Sequence, residues 1–510
     1  MIRPDVAVDH PKSRFWRWAL LGLVGAALLI AAALWLAMAR LGVTAQQAWD
    51  ELAQRPPMEL VRHLQRRLEG HPRLEAILNP GLNHLRQSLE REPPPGLMDL
   101  GKGQRDTGLS PALFSVGVPV PASPLPVALR SDASPSATER RLANTTALAE
   151  AMAAAKAGDV LELLPGSYRI GQQLDTGHGG RADAPIVVRA VIPGTVELLV
   201  DTVQAIVVSR PYWLFENLTL RGVCVDHGAC EHAFHIVGDA KGTVVRNNLL
   251  RDFNAHIKVN GEGGRWPDHG LLQFNTFTNS GPRQTDKPVT LVDIVGVNGW
   301  QLLDNRIENF VKAGGNQTSF GAFLKGAGRQ GRMERNLVVC TPQGVAQPGL
   351  RVGLSIGGGG TGTAFCRDGA CRAEHFDALV ANNIVAHCND AGIDVYRSQG
   401  TVLSFNTLVN TAGVLVRGDD SQARVQANVI EGRLRAAKGG RIEESDNLVR
   451  RRLDGTFSAA DSLDLRWLDV PPIVAVSGGP RNDMCNRPRP SASPPGALMA
   501  GACSTPRQRP

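Results

Sequence analysis

Tyrosine is nearly missing from this chain: 510 residues carry three, and aromatic residues make up only 5% of the total. Recognition of neutral sugars relies on stacking them over several rings, and Trp266 and Trp300 are the main aromatics of the middle of the chain, so a charged glycan is favoured over a neutral one. The glycine run "SIGGGGTGTA" (Ser355 to Ala364) lacks a Gly-Lys-Ser/Thr ending, which excludes a phosphate-binding loop. Paired CxxC spacings are absent as well. Cys366, Cys371 and His375, and likewise Cys224, Cys230, His232 and His235, are only loosely zinc-like, and no metal site is expected. A dominant charge of one sign is lacking: 55 Lys and Arg stand against 48 Asp and Glu, a net +7. Such an excess is ordinary solvated surface, and no nucleic-acid partner is expected.

Turn formers are abundant. With Gly 55 and Pro 33, the bulk of the chain should hold many turns and few helices. The exception is the beginning. Trp18 to Ala39 is an uncharged run long enough to cross a bilayer as a helix. Lys12, Arg14 and Arg17 precede it, so residues 1–17 should stay cytoplasmic, with 18–39 a single-pass anchor in a bacterial-type inner membrane and the bulk periplasmic. Ala37-Met38-Ala39 resembles a cleavage site, so secretion after signal cleavage is the alternative; the length of the apolar run favours the anchor. Residues 40–100 read as a short helical stalk with a protein partner, and the Pro-, Ser- and Ala-rich residues 101–140 as a linker.

Eight cysteines in an exported chain imply disulfides. Cys224 with Cys230, Cys366 with Cys371, and Cys485 with Cys503 are near pairs; Cys340 and Cys388 end the similar phrases "RNLVVC" and "NIVAHC".

From residue 141 to 450 one phrase returns: Asn followed by an apolar run. It occurs at Asn217, Asn248, Asn275, Asn305, Asn336, Asn383, Asn406, Asn428 and Asn447, spaced 31, 27, 30, 31, 47, 23, 22 and 19 residues apart. Repeats of this length with variable insertions indicate a solenoid. In a coil of short parallel strands, an Asn side chain at each bend satisfies backbone groups that lose their ladder partners, and Asn tolerates left-handed geometry. Stacked, such amides bond one another. The expected fold is therefore all-β, a right-handed parallel β-helix. Asn144 or Thr145 caps a short N-terminal helix, and residues 451–510 form a C-terminal closing segment.

The phrases "AAAKAGDVLELLPGSYRI" and "GGRADAPIVVRAVIPGTVEL" resemble the first coils of the alginate lyase and chondroitinase B family. With the Asn repeat they make the chain similar to right-handed β-helix proteins of the pectate-lyase-like superfamily. That resemblance implies an acidic, uronate-containing polysaccharide as partner and lyase-type β-elimination as activity. The DPHD motif of β-helix epimerases is absent, with only Asp394 retained in "GIDVYRS". The alternatives are a non-catalytic glycan- or envelope-binding β-helix and a scaffold.

Taking the Asn residues as a ruler, His235 lies twelve residues before Asn247, Asp293 twelve before Asn305 and Asp394 twelve before Asn406, while Lys325 lies eleven before Asn336 and Arg417 eleven before Asn428. Stacked coils would align them about 4.8 Å apart along one ribbon, with Lys325 needing a bulge or offset to face Asp293. A lyase must neutralise the sugar carboxylate and remove the adjacent proton. Lys325, Asp293, Lys258, His256 and His375 are the candidate catalytic residues. Arg351, Lys312, Asp394, Arg417 and Glu374 are candidates for holding substrate. The sequence requires no cofactor, and no motif supports Ca2+.

Overall fold

The computed structural model describes residues 60–61, 64–65, 68, 71–89, 139–341, 349–358, 361–475 and 479–499. The expected anchor at 18–39, the cytoplasmic residues 1–17 and the linker up to residue 138 lie outside the described residues. Among those described, no helix is long and apolar enough to cross a membrane. The chain divides into two units, Met1–Leu89 and Glu90–Pro510. Within the first, Pro72–Leu89 is a helix with Pro80 inside it, and Ile77, Leu78 and Leu85 are exposed on it.

The second unit is a parallel β-helix. Three long sheets of 12, 11 and 10 strands are built from strands that recur once per coil. In chain order a coil passes through sheet I (for example Val244–Arg246), sheet III (Leu249–Arg251) and sheet II (Ala255–Asn260). The helix Thr145–Ala154 covers the first coil, with Leu148, Ala151 and Met152 buried, and the Asn144 side chain caps it by accepting from the Ala147 N–H. Of the two capping residues considered, Asn144 does the work because its carboxamide oxygen reaches one of the helix's unpaired donors.

Sheet I and sheet III are joined by two residues in coil after coil, and the second is the repeating Asn. Asn248, Asn275, Asn305, Asn336, Asn383, Asn406, Asn428 and Asn447 form one continuous column. The side-chain oxygen of each accepts from both the backbone N–H and the side-chain amide of its predecessor, as Asn336 does from Asn305 at 3.0 Å twice. The side-chain amide of each also donates to a carbonyl at the preceding coil, Asn336 to Leu302 and Asn383 to Met333 at 2.8 Å. Asn217 is the exception. It stands one residue early, and the ladder position of its coil is Leu218, whose N–H donates to Asn248 Oδ1. Left-handed backbone also falls one residue earlier than expected. At this bend the residues in left-handed backbone, with φ of 52° to 63°, are Asn217, Asn247, Phe274, Asp304, Arg335, Asn382, Phe405, Ala427 and Asp446, not the ladder asparagines. Phenylalanine and alanine have no preference for that region. The buried amide bonds next door hold them there.

Inside, strand residues alternate into a single core that includes Phe234, Ile257, Ile294, Leu324 and Ile356. On the outer face of sheet I, Arg141, Glu162, Arg189, Glu216 and Arg246 occupy one register column with alternating charge. The segment after the last coil folds back along the outer face of sheet III: Leu453, Phe457, Leu465, Met484 and Leu498 pack with Leu337, Val339, Ile384 and Val409. Disulfides join Cys224–Cys230, Cys340–Cys388 and Cys366–Cys371, with Cα atoms 5.8, 4.9 and 5.5 Å apart. Cys485 is also disulfide-bonded; Cys503, expected as its partner, lies outside the described residues. With their sulfurs oxidised, the Cys–His clusters have no thiolates to offer a metal.

The ladder generates a stability prediction. Asn336→Ala removes two acceptor contacts and two donor contacts at a fully buried position. We expect a loss of at least about 1–3 kcal/mol, the cost of a buried polar group left unpaired, seen as a lower urea midpoint at unchanged slope. An unchanged midpoint would mean that the amides do not hold the coils together.

Candidate active-site ribbon

From Trp213 onward the variable connections of the solenoid flank sheet II. There the turn from sheet I to sheet III is a constant two residues, whereas the stretches entering sheet II (223–231, 279–288, 309–317) and leaving it (261–270, 326–331, 357–374) differ from coil to coil. Sheet II also has the longest strands: Val289–Val295, Thr318–Lys325 and Leu350–Ile356, of 7, 8 and 7 residues. A rigid floor edged by variable loops is where a β-solenoid presents chemistry.

On the outer face of that floor, register places His235 beside Lys258, Lys258 beside Asp293, Asp293 beside Phe323, Phe323 beside Ser355, and Ser355 beside Asp394. Lys325 pairs with Val295, and Arg417 with Tyr396. Both cations are therefore two residues along from the carboxylate column and on the same face. The parity difficulty raised by the ruler disappears without a bulge, because the connection from sheet II to sheet I is one residue longer after Lys325 (326–331) than after Val295 (296–300).

The centre of the ribbon is Asp293. Its Oδ2 accepts from Lys258 Nζ at 2.6 Å, and its Oδ1 lies 3.0 Å from Lys325 Nζ. Burial alone would push the Asp293 carboxyl up, but the charges of Lys325 and Lys258 and their hydrogen bonds outweigh it and bring it down to about 2. The Lys325 ammonium also lies 4.5 Å from the centre of the Phe323 ring, a favourable cation–π placement. The glycine run serves close packing here: a Cβ on Gly358 would fall 2.6 Å from the Phe323 ring, and one on Gly357 1.9 Å from the Tyr396 carbonyl oxygen.

Glu374 comes to Lys325 from the long loop. It is buried, and its Oε2 accepts from the Gly326 N–H at 3.1 Å. Burial raises its carboxyl above the ordinary range; the Gly326 N–H, the Thr361 hydroxyl and the charges of Lys325 and Arg397 only partly offset this. Further along, Asp394 takes Arg417 through two bonds of 2.9 and 2.8 Å, and the guanidinium stacks on Tyr396 at 4.2 Å. Burial works against the charged Arg417, but Asp394 more than compensates and raises its pKa.

Four of the candidates do not join this group. His256 is interior: its ring packs edge-on to Phe253 and Phe277, its Nε2 bonds the Thr278 carbonyl at 3.0 Å, and burial lowers its pKa to about 3. His375, beside Glu374 in sequence, is equally buried, with its pKa held down to about 3 by burial and then by Arg329. Arg351 is four residues before Ser355 on one strand, about 13 Å away, and donates to the Gly349 carbonyl. Lys312 belongs to the connection entering sheet II and bonds the Asp286 carbonyl and Asn316 Oδ1.

One neighbour escaped the sequence reading: Phe323, two residues before Lys325 in "GAFLK". His235, which the ruler placed on the ribbon, is aligned with Lys258 and has its ring nitrogens 2.9 and 2.8 Å from Gln204 Oε1 and Asn260 Oδ1.

No family model and no curated protein matches the chain. Among solved structures, a pectate lyase, Pel9A, is similar at 14% identity with a TM-score of 0.47, over 72% of this chain and 98% of that one. A rhamnogalacturonan lyase is similar at 13% and 0.43, over 60% and 87%. An alginate lyase from Paenibacillus sp. gives 13% and 0.35, over 61% and 99%. At these identities the likeness is one of fold.

The ion triad has a pH signature. Asp293 is depressed from an ordinary 3.8 to about 2, so its stabilising contribution is complete above about pH 4 and is lost as pH falls through 2. Asp293→Asn should lower stability near neutral pH by about 1–3 kcal/mol, since two ammoniums lose their acceptor. It should also flatten the decline between pH 4 and 2 in thermal unfolding curves. Parallel acid limbs in the two proteins would contradict the assignment.

Proposed function

We propose that this chain acts on an acidic, uronate-containing polysaccharide by β-elimination at the Lys258–Asp293–Lys325 ribbon. The observation that carries the reading is the pair of lysines sharing one carboxylate on the open face of sheet II. Two cations against one anion leave a net positive charge where a sugar carboxylate would dock. Bound there, that carboxylate is neutralised by one ammonium, which acidifies the adjacent C–H. The other lysine, once it has released its own proton to solvent, takes that proton. The C–H electron pair becomes the new C=C bond, the C–O bond to the leaving sugar breaks, and the departing oxygen takes a proton from solvent water. The stacked Arg417 and Tyr396 extend the surface three coils beyond Lys325, about 14 Å.

One observation favours a second reading, a non-catalytic glycan- or envelope-binding β-helix. Both lysines are already satisfied by Asp293, as in a structural ion network. The activity test separates the two. Lys325→Ala should abolish appearance of the unsaturated uronate chromophore on alginate, pectate or glycosaminoglycans. Because Lys258 still balances Asp293, stability should fall by only about 1 kcal/mol. Lys325→Arg should retain partial activity, since its planar head cannot reproduce the point charge. Wild-type protein that binds one of these polymers without producing chromophore or new reducing ends would sink the lyase reading and leave the binder.

The membrane anchor at 18–39 and a periplasmic location for the β-helix are part of the same proposal, supported by the uncharged run and the basic residues before it. The exposed Ile77, Leu78 and Leu85 of the helix Pro72–Leu89 support a protein partner at the stalk. Full-length protein should stay with membranes through alkaline carbonate extraction. Release into the supernatant, or a mature mass starting near Arg40, would contradict the anchor.

A further inference from the structure

The loop between Cys366 and Glu374 holds the peptide that follows Lys325 from both sides. The Gly326 N–H donates to Glu374 Oε2 at 3.1 Å, and the Gly326 carbonyl accepts from the Arg367 N–H at 2.9 Å. Next to it, the Ala327 N–H donates to the Glu374 carbonyl at 2.8 Å. The loop is closed on itself by Cys366–Cys371. It is pinned outward by Arg367, whose guanidinium grips Asp268 with bonds of 2.7 and 3.0 Å and reaches the Gly296 carbonyl at 3.3 Å. The Gly296 N–H in turn donates to the Lys325 carbonyl at 2.8 Å. Every backbone hydrogen bond named here converges on the residues around Lys325, at the point where its strand leaves sheet II.

That convergence matters because Lys325 is the last residue of its strand. The ladder of sheet II stops there and parallel pairing resumes only at Gly328–Arg329, against His375–Phe376; between the two, Gly326, with φ of +75°, would leave the strand end loose. Strand ends fray unless something else takes their donors and acceptors. Glu374 is unusual in supplying both a side-chain and a main-chain acceptor to consecutive N–H groups.

We propose that the disulfide-closed segment Cys366–Glu374 is a positioning clamp for Lys325, with Glu374 as its positioning residue. Its role in turnover rests on the lyase reading above; its mechanical role does not. Glu374 acts through the Gly326 peptide and not by touching substrate. Its carboxylate fixes the strand end, the strand end fixes the Lys325 Cα, and the ammonium is then held between Asp293 and the Phe323 ring. A displacement of about 1 Å at a reacting group costs on the order of a hundred-fold in rate, so the clamp should show in kcat with KM little changed.

The experiment uses the full chain in three variants: Glu374→Ala, Glu374→Gln, and Cys366→Ser with Cys371→Ser together. Hydrogen exchange, read by mass spectrometry over peptides spanning Phe323 to Gly331, needs no substrate. Glu374→Ala and the double cysteine variant should exchange there about five- to ten-fold faster, with the Asn-ladder coils unchanged. Glu374→Gln keeps an acceptor oxygen and should exchange as wild type. On alginate, pectate and dermatan sulfate, kcat should fall about ten- to hundred-fold in the first two and recover in Glu374→Gln, with KM within about two-fold throughout. Unchanged exchange in Glu374→Ala overturns the clamp. Faster exchange with full turnover overturns its role in positioning Lys325. If wild type turns over none of these polymers, the lyase reading fails and the exchange arm still decides the clamp.

Discussion

A parallel coil has to bend three times per turn, and at each bend backbone donors and acceptors lose their partners in the sheet. At the bend between sheets I and III this chain answers with a column of buried asparagine amides. Each amide serves a backbone N–H, a backbone carbonyl and the next amide, so no coil can shift along the axis or slip in register without leaving several buried polar groups unpaired. That constraint permits the tight two-residue bend, and it holds Phe274, Phe405 and Ala427 in left-handed backbone that their side chains disfavour. It also supplies the alignment on which everything on sheet II depends: Lys258 and Asp293 are adjacent because their coils are locked at the opposite bend.

A constant bend on one side forces variation onto the other two. Insertions between sheets III and II and between II and I leave the ladder untouched, so loops of very different length are tolerated there. The loop of the longest coil is the clearest case. It leaves sheet II after Ile356, crosses the end of the preceding strand, and places Glu374 against Gly326. A short disulfide makes such a crossing rigid in a segment with little apolar core of its own.

The amino-acid sequence revealed the ladder through its spacing, and with it the fold, the coil order and the approximate ribbon. It concealed what depends on single-residue offsets. Asn217 looks like a ladder residue, yet the ladder position of its coil is Leu218, because the phrase "FENLTL" carries its Asn one place early. The left-handed positions carry no shared residue type, so no pattern marks them. His256 and Lys258 look like one pair in "HIKVNG", but the rings of Phe253 and Phe277 pack against the first, which is fully buried. Arg351 and Lys312 are basic residues on the correct coils, but Arg351 stands at the far end of its strand and Lys312 in the connection before its strand. Glu374 lies 48 residues from Gly326, and only the path of an irregular loop brings them together. Regular spacing transmits through the sequence; loop trajectories do not.

The central triad has a double character that follows from electrostatics. Two charges about 4 Å apart near a protein surface attract by roughly 4 kcal/mol, so Asp293 with two lysines is a sound structural device. Yet the third charge is unbalanced, and the side chains of Lys258 and Lys325 remain 25% and 18% exposed while Asp293 is 11% exposed. A carboxylate arriving from solvent therefore finds ammoniums already desolvated and oriented, with the cost of ordering them met by Asp293 before binding. It does not displace Asp293, which sits beneath; it completes the charge balance above. A network that merely covered the sheet would need one lysine per carboxylate. In the proposed function the second lysine is the group that receives the acidic polymer, and its placement at a strand end held by an added loop is what distinguishes Lys325 from the other charges on the solenoid.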